Sequence, residues 1–210
     1  MNRSRLEAFS DGVFAVAITL LALDLAVKGP GNGDLASLLG HRWPAFVAYL
    51  ISFFTIGIIW VNHHSMMNGV VAVTRGLLYL NLLLLAVVVT IPFATSTLAD
   101  YLLDGRPNAN TAAALFAGVF ELMSIAFALV SEWVLRHDQY VRDPISAAAK
   151  KPARLSFYAG QVPYLIAFVV AFFNVWATVA ITAVTGIYYI FVRTYAPPTP
   201  TPTGQAPPPE

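Results

Sequence analysis

The sequence predicts an all-α integral membrane protein with six transmembrane helices per chain. Of the 210 residues, 58% are hydrophobic and only 11% are charged, whereas a soluble domain carries about 25% charged residues. Six separate apolar stretches are long enough, at about 20 residues each, to cross a bilayer as helices. Lysine and arginine residues also collect in alternate connections between these stretches, as they do in membrane proteins of fixed orientation.

The six predicted spans form one transmembrane domain, residues 1–195. Proline lacks the backbone N–H that a helix interior needs, so Pro92 near the end of the third span and Pro163 inside the fifth should kink or break their helices. Asn174 alone separates the last two spans. The proline-rich residues 196–210 cannot pack as helix or sheet, and we expect a disordered tail there. The spans cover about 6–27, 45–64, 76–98, 110–134, 155–173 and 175–194.

The basic residues predict the orientation of the chain. Of the 12 lysine and arginine residues, the outer connections hold only Lys28, Arg42 and Arg106 when the N terminus is placed in the cytoplasm. The positive-inside rule favours this arrangement. Both termini are therefore predicted to be cytoplasmic, in a multi-pass protein of the cell (inner) membrane. The inner segments hold Arg3, Arg5, Arg75, Arg136, Arg142, Lys150, Lys151, Arg154 and Arg193.

Several classes of chemistry are excluded or disfavoured. The chain has no cysteine, which excludes disulfides, thiolate metal sites and cysteine nucleophiles. His63 and His64 are the only adjacent histidines, and neighbours on a helix point about 100° apart, so joint metal binding is not expected. No nucleotide-binding loop, nucleophile elbow or zinc-protease motif occurs. We predict no enzymatic activity, no cofactor and no nucleic-acid partner.

The first span carries a regular apolar stripe. Its members recur at intervals of four and three residues, a heptad-like spacing suited to packing against copies of the same helix. Thr19 flanks the stripe at about 60°, and Asp24 lies about 40° from Leu20 at the outer mouth. Ordinary helix packing remains the alternative interpretation of the stripe, and a solvated helix end that of Asp24. The stripe consists of Phe9, Val13, Val16, Leu20, Leu23 and Val27.

Two acidic residues inside the predicted membrane region demand an explanation, because ionisable groups there are costly and usually functional. Asp11 lies about 140° round the helix from Val16, so it should face neighbouring helices. Its expected partners are Arg5, His63 or His64, and Asn81. Glu121, in the middle of the fourth span, is expected to form a buried hydrogen bond. Asp11 and Glu121 also permit an alternative function, a proton-coupled secondary transporter that uses both as titrating groups.

A short motif at the start of the first span carries a family resemblance. Arg5-x-x-x-Phe9-Ser10-Asp11, with Thr19 eight residues further on, resembles the transmembrane protein 175 family, which comprises the lysosomal potassium channel and its prokaryotic relatives. Supporting matches are Trp60-Val-Asn-His63-His64, Asn81 and Pro92-Phe93. We expect the polar and aromatic members to form a structural network between helices: Arg5, Phe9, Ser10, Asp11, Trp60, His63, His64 and Asn81.

The resemblance implies a potassium-permeable cation channel. One six-span repeat per chain implies a homotetramer whose first helices surround a central pore. Val16, Leu20 and Leu23 would then form a hydrophobic constriction, with Thr19 offering oxygen atoms beside it and Asp24 attracting cations to the outer mouth. Potassium, transiently in the pore, is the only metal expected. The family usually has isoleucine where this chain has Val16, so a wider ring and weaker selectivity are expected.

Overall fold

The computed structural model describes residues 2–25, 34–144 and 146–191. In these ranges the regular structure is helical, apart from an isolated bridge between Val70 and Val141, which confirms the all-α prediction. Short 3₁₀ segments follow α1 at Ala22–Leu25 and α6 at Asp138–Tyr140. The helices are α1 (Arg3–Leu21), α2 (Leu35–His41), α3 (Trp43–Asn68), α4 (Arg75–Val88), α5 (Ile91–Tyr101), α6 (Asn108–Arg136), α7 (Ala147–Ala159), α8 (Gln161–Ala171) and α9 (Val175–Phe191).

Four helical segments are long and apolar enough to cross a membrane. They are Trp43–Asn68, Arg75–Tyr101, Asn108–Arg136 and Ala147–Ala171, each of 25 to 29 residues, and Val175–Tyr189 is a shorter apolar helix. α1 is not among the four; its 19 residues include several charged side chains in the first three turns. Among the described residues, four of the six predicted spans thus have a helical segment long and apolar enough to cross a membrane, while the spans of α1 and α9 stay predictions.

Two of the long segments are broken where the sequence has proline, as predicted. A proline cannot donate to the carbonyl four residues earlier, which for Pro92 is that of Val88 and for Pro163 that of Ala159. α4 ends at Val88 and α7 ends at Ala159. Each break is therefore a local consequence of one missing N–H. The turn at Asn174 is also as expected, and its side chain caps α9 by accepting from the N–H groups of Trp176 and Ala177.

α6 is the central helix of the bundle. It packs against α4, α5, α8 and α9, and bulky side chains such as Phe116, Phe120 and Met123 are fully buried along it. α1 instead lies at the edge of the bundle, where it contacts α3, α4 and α5 on one side. This peripheral position leaves the opposite side of α1 without a neighbour in the described chain.

Several helix ends meet at one end of the molecule. Arg3 at the start of α1 donates to the backbone oxygen and the side-chain oxygen of Asn68 at the end of α3. The α3–α4 and α6–α7 connections are joined by backbone hydrogen bonds of 2.8 Å from Val71 to Tyr140 and from Arg142 to Gly69. We call this the basic end of the molecule, because eight described arginine and lysine side chains of the predicted inner segments belong to it: Arg3, Arg5, Arg75, Arg136, Arg142, Lys150, Lys151 and Arg154. α7 begins at Ala147, so part of the connection between the predicted spans 110–134 and 155–173 is helical.

Candidate functional site

α1 presents two contrasting faces. The buried face contacts the rest of the bundle through a row at helical spacing: Leu6, Ser10, Phe14, Ala17 and Leu21. The apolar stripe predicted from the sequence lies on the neighbouring face, about 100° round the helix from that row. Phe9 is 52% exposed, Val16 54%, Leu20 40% and Leu23 68%. Four side chains of the stripe are therefore uncovered in the single chain, whereas Val13 is partly buried against the core.

Thr19 lies beside this stripe and is also exposed. Its Oγ1 donates to the backbone oxygen of Val16 across 2.9 Å. This back-bond within the helix is common for threonine. The bond fixes the position of the hydroxyl oxygen next to Val16 and Leu20.

A chain of hydrogen bonds connects the buried face of α1 to α4 and α3. The amide Nδ2 of Asn81 on α4 donates to Ser10 Oγ at 3.0 Å, and Ser10 Oγ donates to the backbone oxygen of Leu6 at 2.9 Å. Asn81 Oδ1 lies 2.7 Å from Nε2 of His63 on α3. Ser10, Asn81 and His63 are each at most 1% exposed. We refer to these three residues as the buried triad.

The triad has a consistent direction of donation. Because Asn81 Oδ1 can only accept, Nε2 of His63 carries the proton in this arrangement. Every polar side-chain atom in the path from His63 to Leu6 then has a partner. Since unpaired polar groups are costly in a membrane interior, the triad fixes the relative position of α1, α3 and α4.

Asp11 has a different partner from those expected. Its Oδ1 accepts a hydrogen bond of 2.8 Å from Nε1 of Trp60 on α3, a residue that the motif analysis had placed in the same network. Asn81 instead contacts the neighbouring Ser10. None of the four expected partners, Arg5, His63, His64 and Asn81, forms a hydrogen bond with Asp11. That prediction was therefore wrong, because Ser10 and not Asp11 faces α4.

Three other members of the expected network lie away from the triad. The side chain of Arg5 is exposed and forms no hydrogen bond or ion pair among the described residues; it lies about 120° round α1 from Asp11. Phe9 belongs to the exposed stripe. His64 is exposed and contacts the Trp60 ring at a centroid distance of 6.0 Å, since it points about 100° away from His63.

One contact at this end of α1 was missed by the sequence reasoning. Arg3, rather than Arg5, joins α1 to α3 through Asn68, and its Nε also donates to Oε2 of Glu7 at 3.1 Å. The spacing of Arg3 and Glu7, four residues apart on a helix, is a recognisable signal for such a pair. The bond to Asn68 had no comparable signal, because it joins residues 65 positions apart.

The acidic residues of the alternative hypothesis are not brought together as one site. Glu121 lies on α6, which packs against α4, α5, α8 and α9, whereas Asp11 lies on α1 and bonds to α3. The Glu121 Oε2 atom is buried without a hydrogen-bond partner, so the expected hydrogen bond is absent at that oxygen. No group of three or more metal-ligating side chains occurs within the described ranges.

Two residues of the predicted site, Asp24 and Val27, lie partly or wholly outside the described residues. The backbone of Asp24 belongs to the Ala22–Leu25 segment, but its side chain is not among the described ones, and Val27 lies in the undescribed residues 26–33. The same holds for the tail, residues 196–210. The role of Asp24 at the outer mouth therefore stays a prediction.

Comparison with known proteins identifies the family. The family model described as "Endosomal/lysosomal potassium channel TMEM175" matches residues 5–92. A potassium channel of Streptomyces collinus is 42% identical over 200 residues, which cover 94% of this chain and 96% of that protein. This chain belongs to the TMEM175 family. The matched region contains α1, α3 and α4, which hold the exposed stripe and the buried triad.

The TMEM175 fold is matched by a solved structure as well. A crystal structure of a lysosomal potassium-selective channel TMEM175 homolog from Chamaesiphon minutus is similar with a TM-score of 0.79 and 36% identity, covering 92% of this chain and 98% of that chain. The endosomal/lysosomal proton channel TMEM175 of Mus musculus is 36% identical over 146 residues, which are 63% of this chain and 29% of that protein. The chain is accordingly a multi-pass membrane protein of an ion-channel family, not an enzyme.

Proposed function

We propose that this protein is a potassium-permeable cation channel whose pore is lined by α1 from four copies of the chain. The observation that carries the proposal is the uncovered aliphatic face of α1, on a helix whose other face is fixed by the buried triad. Membership of the TMEM175 family, with relatives named potassium channels over nearly the full chain, supports the transported ion.

The proposed constriction consists of Val16, Leu20 and Leu23. Four copies of each would form stacked aliphatic rings, and such rings offer an ion no ligands, so losing water there is costly. Potassium holds its hydration shell less tightly than sodium and therefore crosses more easily. An apolar ring can also lose its water and close, which makes it a gate. Thr19, next to the rings, supplies an oxygen that eases partial dehydration.

The proposal includes the arrangement of the whole chain. The homotetramer is made of chains with six spans, among them α1 and α9, in one transmembrane domain of residues 1–195 followed by the tail at 196–210. Both termini lie in the cytoplasm of a prokaryotic cell, and the basic end of the molecule faces the cytoplasm. Four Asp24 side chains concentrate cations at the outer mouth of the pore.

Ion flux through purified protein in liposomes tests the proposal. Leu20→Ala and Val16→Asn should raise potassium flux and admit sodium more readily than the unsubstituted protein does. Leu165→Ala is the matched control, because Leu165 is an equally uncovered leucine on α8 that lies outside the proposed pore. Potassium flux that none of the α1 substitutions alters, or that Leu165→Ala alters equally, would exclude α1 as the pore helix.

The same liposomes decide between a channel and the proton-coupled transporter. The specific observation that favours the transporter is the unpartnered Oε2 atom of Glu121. If a proton gradient drives uptake against the potassium gradient, and Glu121→Gln or Asp11→Asn abolishes that uptake, the transporter is the correct function. In a channel, potassium ions and protons each move only down their own electrochemical gradient. Proton flux is recorded beside potassium flux because mammalian relatives are named proton channels.

A further inference from the structure

A cavity between α1 and α4 combines two arginines with an apolar wall. Its volume is about 540 Å³, and Arg5 and Arg75 lie at one end of it. Phe9, Leu78 and Leu82 continue the lining along the two helices. The cavity thus changes from cationic to apolar along the helix direction, starting at the basic end of the molecule.

The two arginines lack the ion pairs that four other basic side chains at that end form, and among the described residues Arg142 and Lys151 lack them too. Arg3, Arg136, Lys150 and Arg154 each form an ion pair with a carboxylate. Arg5 and Arg75 form none within the described ranges, although they share one cavity. Both lie at helix N-termini, Arg5 in the first turn of α1 and Arg75 at the first position of α4, where the helix dipole adds positive potential. Like charges in this position favour an anion between them.

From this arrangement we infer that the cavity binds an anionic phospholipid of the surrounding leaflet, with its phosphate between Arg5 and Arg75 and an acyl chain along Phe9, Leu78 and Leu82. Tyr79, 72% exposed at the same level as Arg75, is placed to donate its hydroxyl proton to the headgroup. Basic cavities between helices at the cytoplasmic side are a recognised form of lipid site. The inference rests on the proposed contacts between copies beginning beyond Phe9, at Val16, so that the cavity stays open in the assembly.

Charge favours a lipid over a second copy of the chain as the occupant. The described acidic side chains at the basic end are Glu7, Asp11, Glu132, Asp138 and Asp143. The first four already bind Arg3, Trp60, Arg136 with Arg154, and Lys150, respectively. Trp60 is a neutral donor, so Asp11 keeps its charge, as does Asp143, which is unpaired within the described ranges. A neighbouring copy thus offers two carboxylates at this end, whereas an anionic leaflet offers a negative charge on every lipid.

Native mass spectrometry of the purified full chain in detergent tests the inference. Phosphatidylglycerol and phosphatidylcholine with identical acyl chains are titrated separately, and the bound lipids are counted. Phosphatidylglycerol should bind more tightly, and Arg5→Gln and Arg75→Gln should each weaken it about fivefold, equivalent to about 1 kcal/mol per cation. The matched control is Arg142→Gln, which removes an exposed arginine from the same end but outside the cavity, and should leave binding unchanged.

Further arms separate the other possible occupants. Leu82→Trp fills the apolar wall and keeps both arginines, so it should weaken phosphatidylglycerol binding as well. Inorganic phosphate, added as a competitor, should not displace the lipid. Equal binding of the two lipids, equal loss in Arg142→Gln, or full displacement by phosphate would each overturn the inference. So would Arg75→Gln chains that separate into smaller assemblies while phosphatidylglycerol binding persists, because that result assigns the cavity to contacts between copies.

Discussion

The two faces of α1 differ in what contacts them. The face turned towards the bundle contains Ser10, which donates and accepts hydrogen bonds, whereas the face turned away is aliphatic around Val16 and Leu20. In a lipid environment hydrophobic burial provides little force between helices, and polar bonds and close packing hold them together. Ser10 and the close packing of the buried row therefore fix α1 within its own chain, and the aliphatic face is uncovered, as the proposed contact with other copies requires.

Neighbouring leucines provide the strongest test of this difference between the faces. Leu21 is 1% exposed and Leu20 is 40% exposed, although both have the same side chain on the same helix. We expect Leu21→Ala to lower the free energy of unfolding by about 2–5 kcal/mol, through lost packing. Leu20→Ala should leave it nearly unchanged and act on ion flux instead. Denaturation in mixed micelles followed by circular dichroism measures the first quantity; equal destabilisation by both would show that the two faces do not differ as described.

A substitution in the buried triad should lower the free energy of unfolding nearly as much as Leu21→Ala does. Asn81→Ala leaves Nε2 of His63 without a partner, which costs about 1–3 kcal/mol, and removes one further hydrogen bond, to Ser10 Oγ, worth about 1 kcal/mol. The expected loss in unfolding free energy is therefore about 2–4 kcal/mol, when some rearrangement of the remaining groups is allowed for. The same denaturation experiment measures it, with Asn108→Ala as the exposed control. A loss no greater than that of the control would mean that the triad does not hold α1 in place.

Trp60→Phe should lower the stability of the protein less than Leu21→Ala or Asn81→Ala does. It keeps an aromatic ring against His64 but removes the N–H that Asp11 accepts, a charge-assisted bond worth about 1–3 kcal/mol. The half-exposed position of Trp60 lets other groups reach Asp11, which puts the expected loss at the lower end of that range. Thermal unfolding compared with Trp43→Phe, a tryptophan on the same helix without a bond to an acid, isolates the hydrogen bond. Identical shifts for the two variants would contradict its importance.

Thr19→Val has the smallest expected effect. The substitution preserves shape and removes only the hydroxyl, so stability should change by less than about 1 kcal/mol. Potassium flux should fall a few-fold if Thr19 contributes an oxygen to the passing ion. Thr97→Val, which removes a similar back-bonded hydroxyl on α5, serves as the control in the same liposomes. Flux that is unchanged in Thr19→Val would remove Thr19 from the proposed pore.

Local features of this chain were predictable from the sequence, and contacts between distant residues much less so. The breaks at Pro92 and Pro163 and the turn at Asn174 depend on one residue and its near neighbours. The exposed stripe of α1 follows from helical periodicity alone. The identity of the Asp11 partner was not predictable, because a rotation of α1 by one residue decides whether Ser10 or Asp11 faces Asn81. That rotation is set by packing against α3 and α4, which no spacing in the sequence records.

The back-bond of Thr19 has a consequence for the sign of the ion that the proposed pore admits. Because the hydroxyl group of Thr19 already donates its hydrogen bond to the carbonyl oxygen of Val16, only the lone pairs of Oγ1 remain for a passing ion. Four such hydroxyls around an axis would act purely as acceptors, which attracts cations and repels anions without a single formal charge. A ring of this kind does not titrate near neutral pH, so its preference for cations would persist in acidic surroundings where carboxylate rings are neutralised.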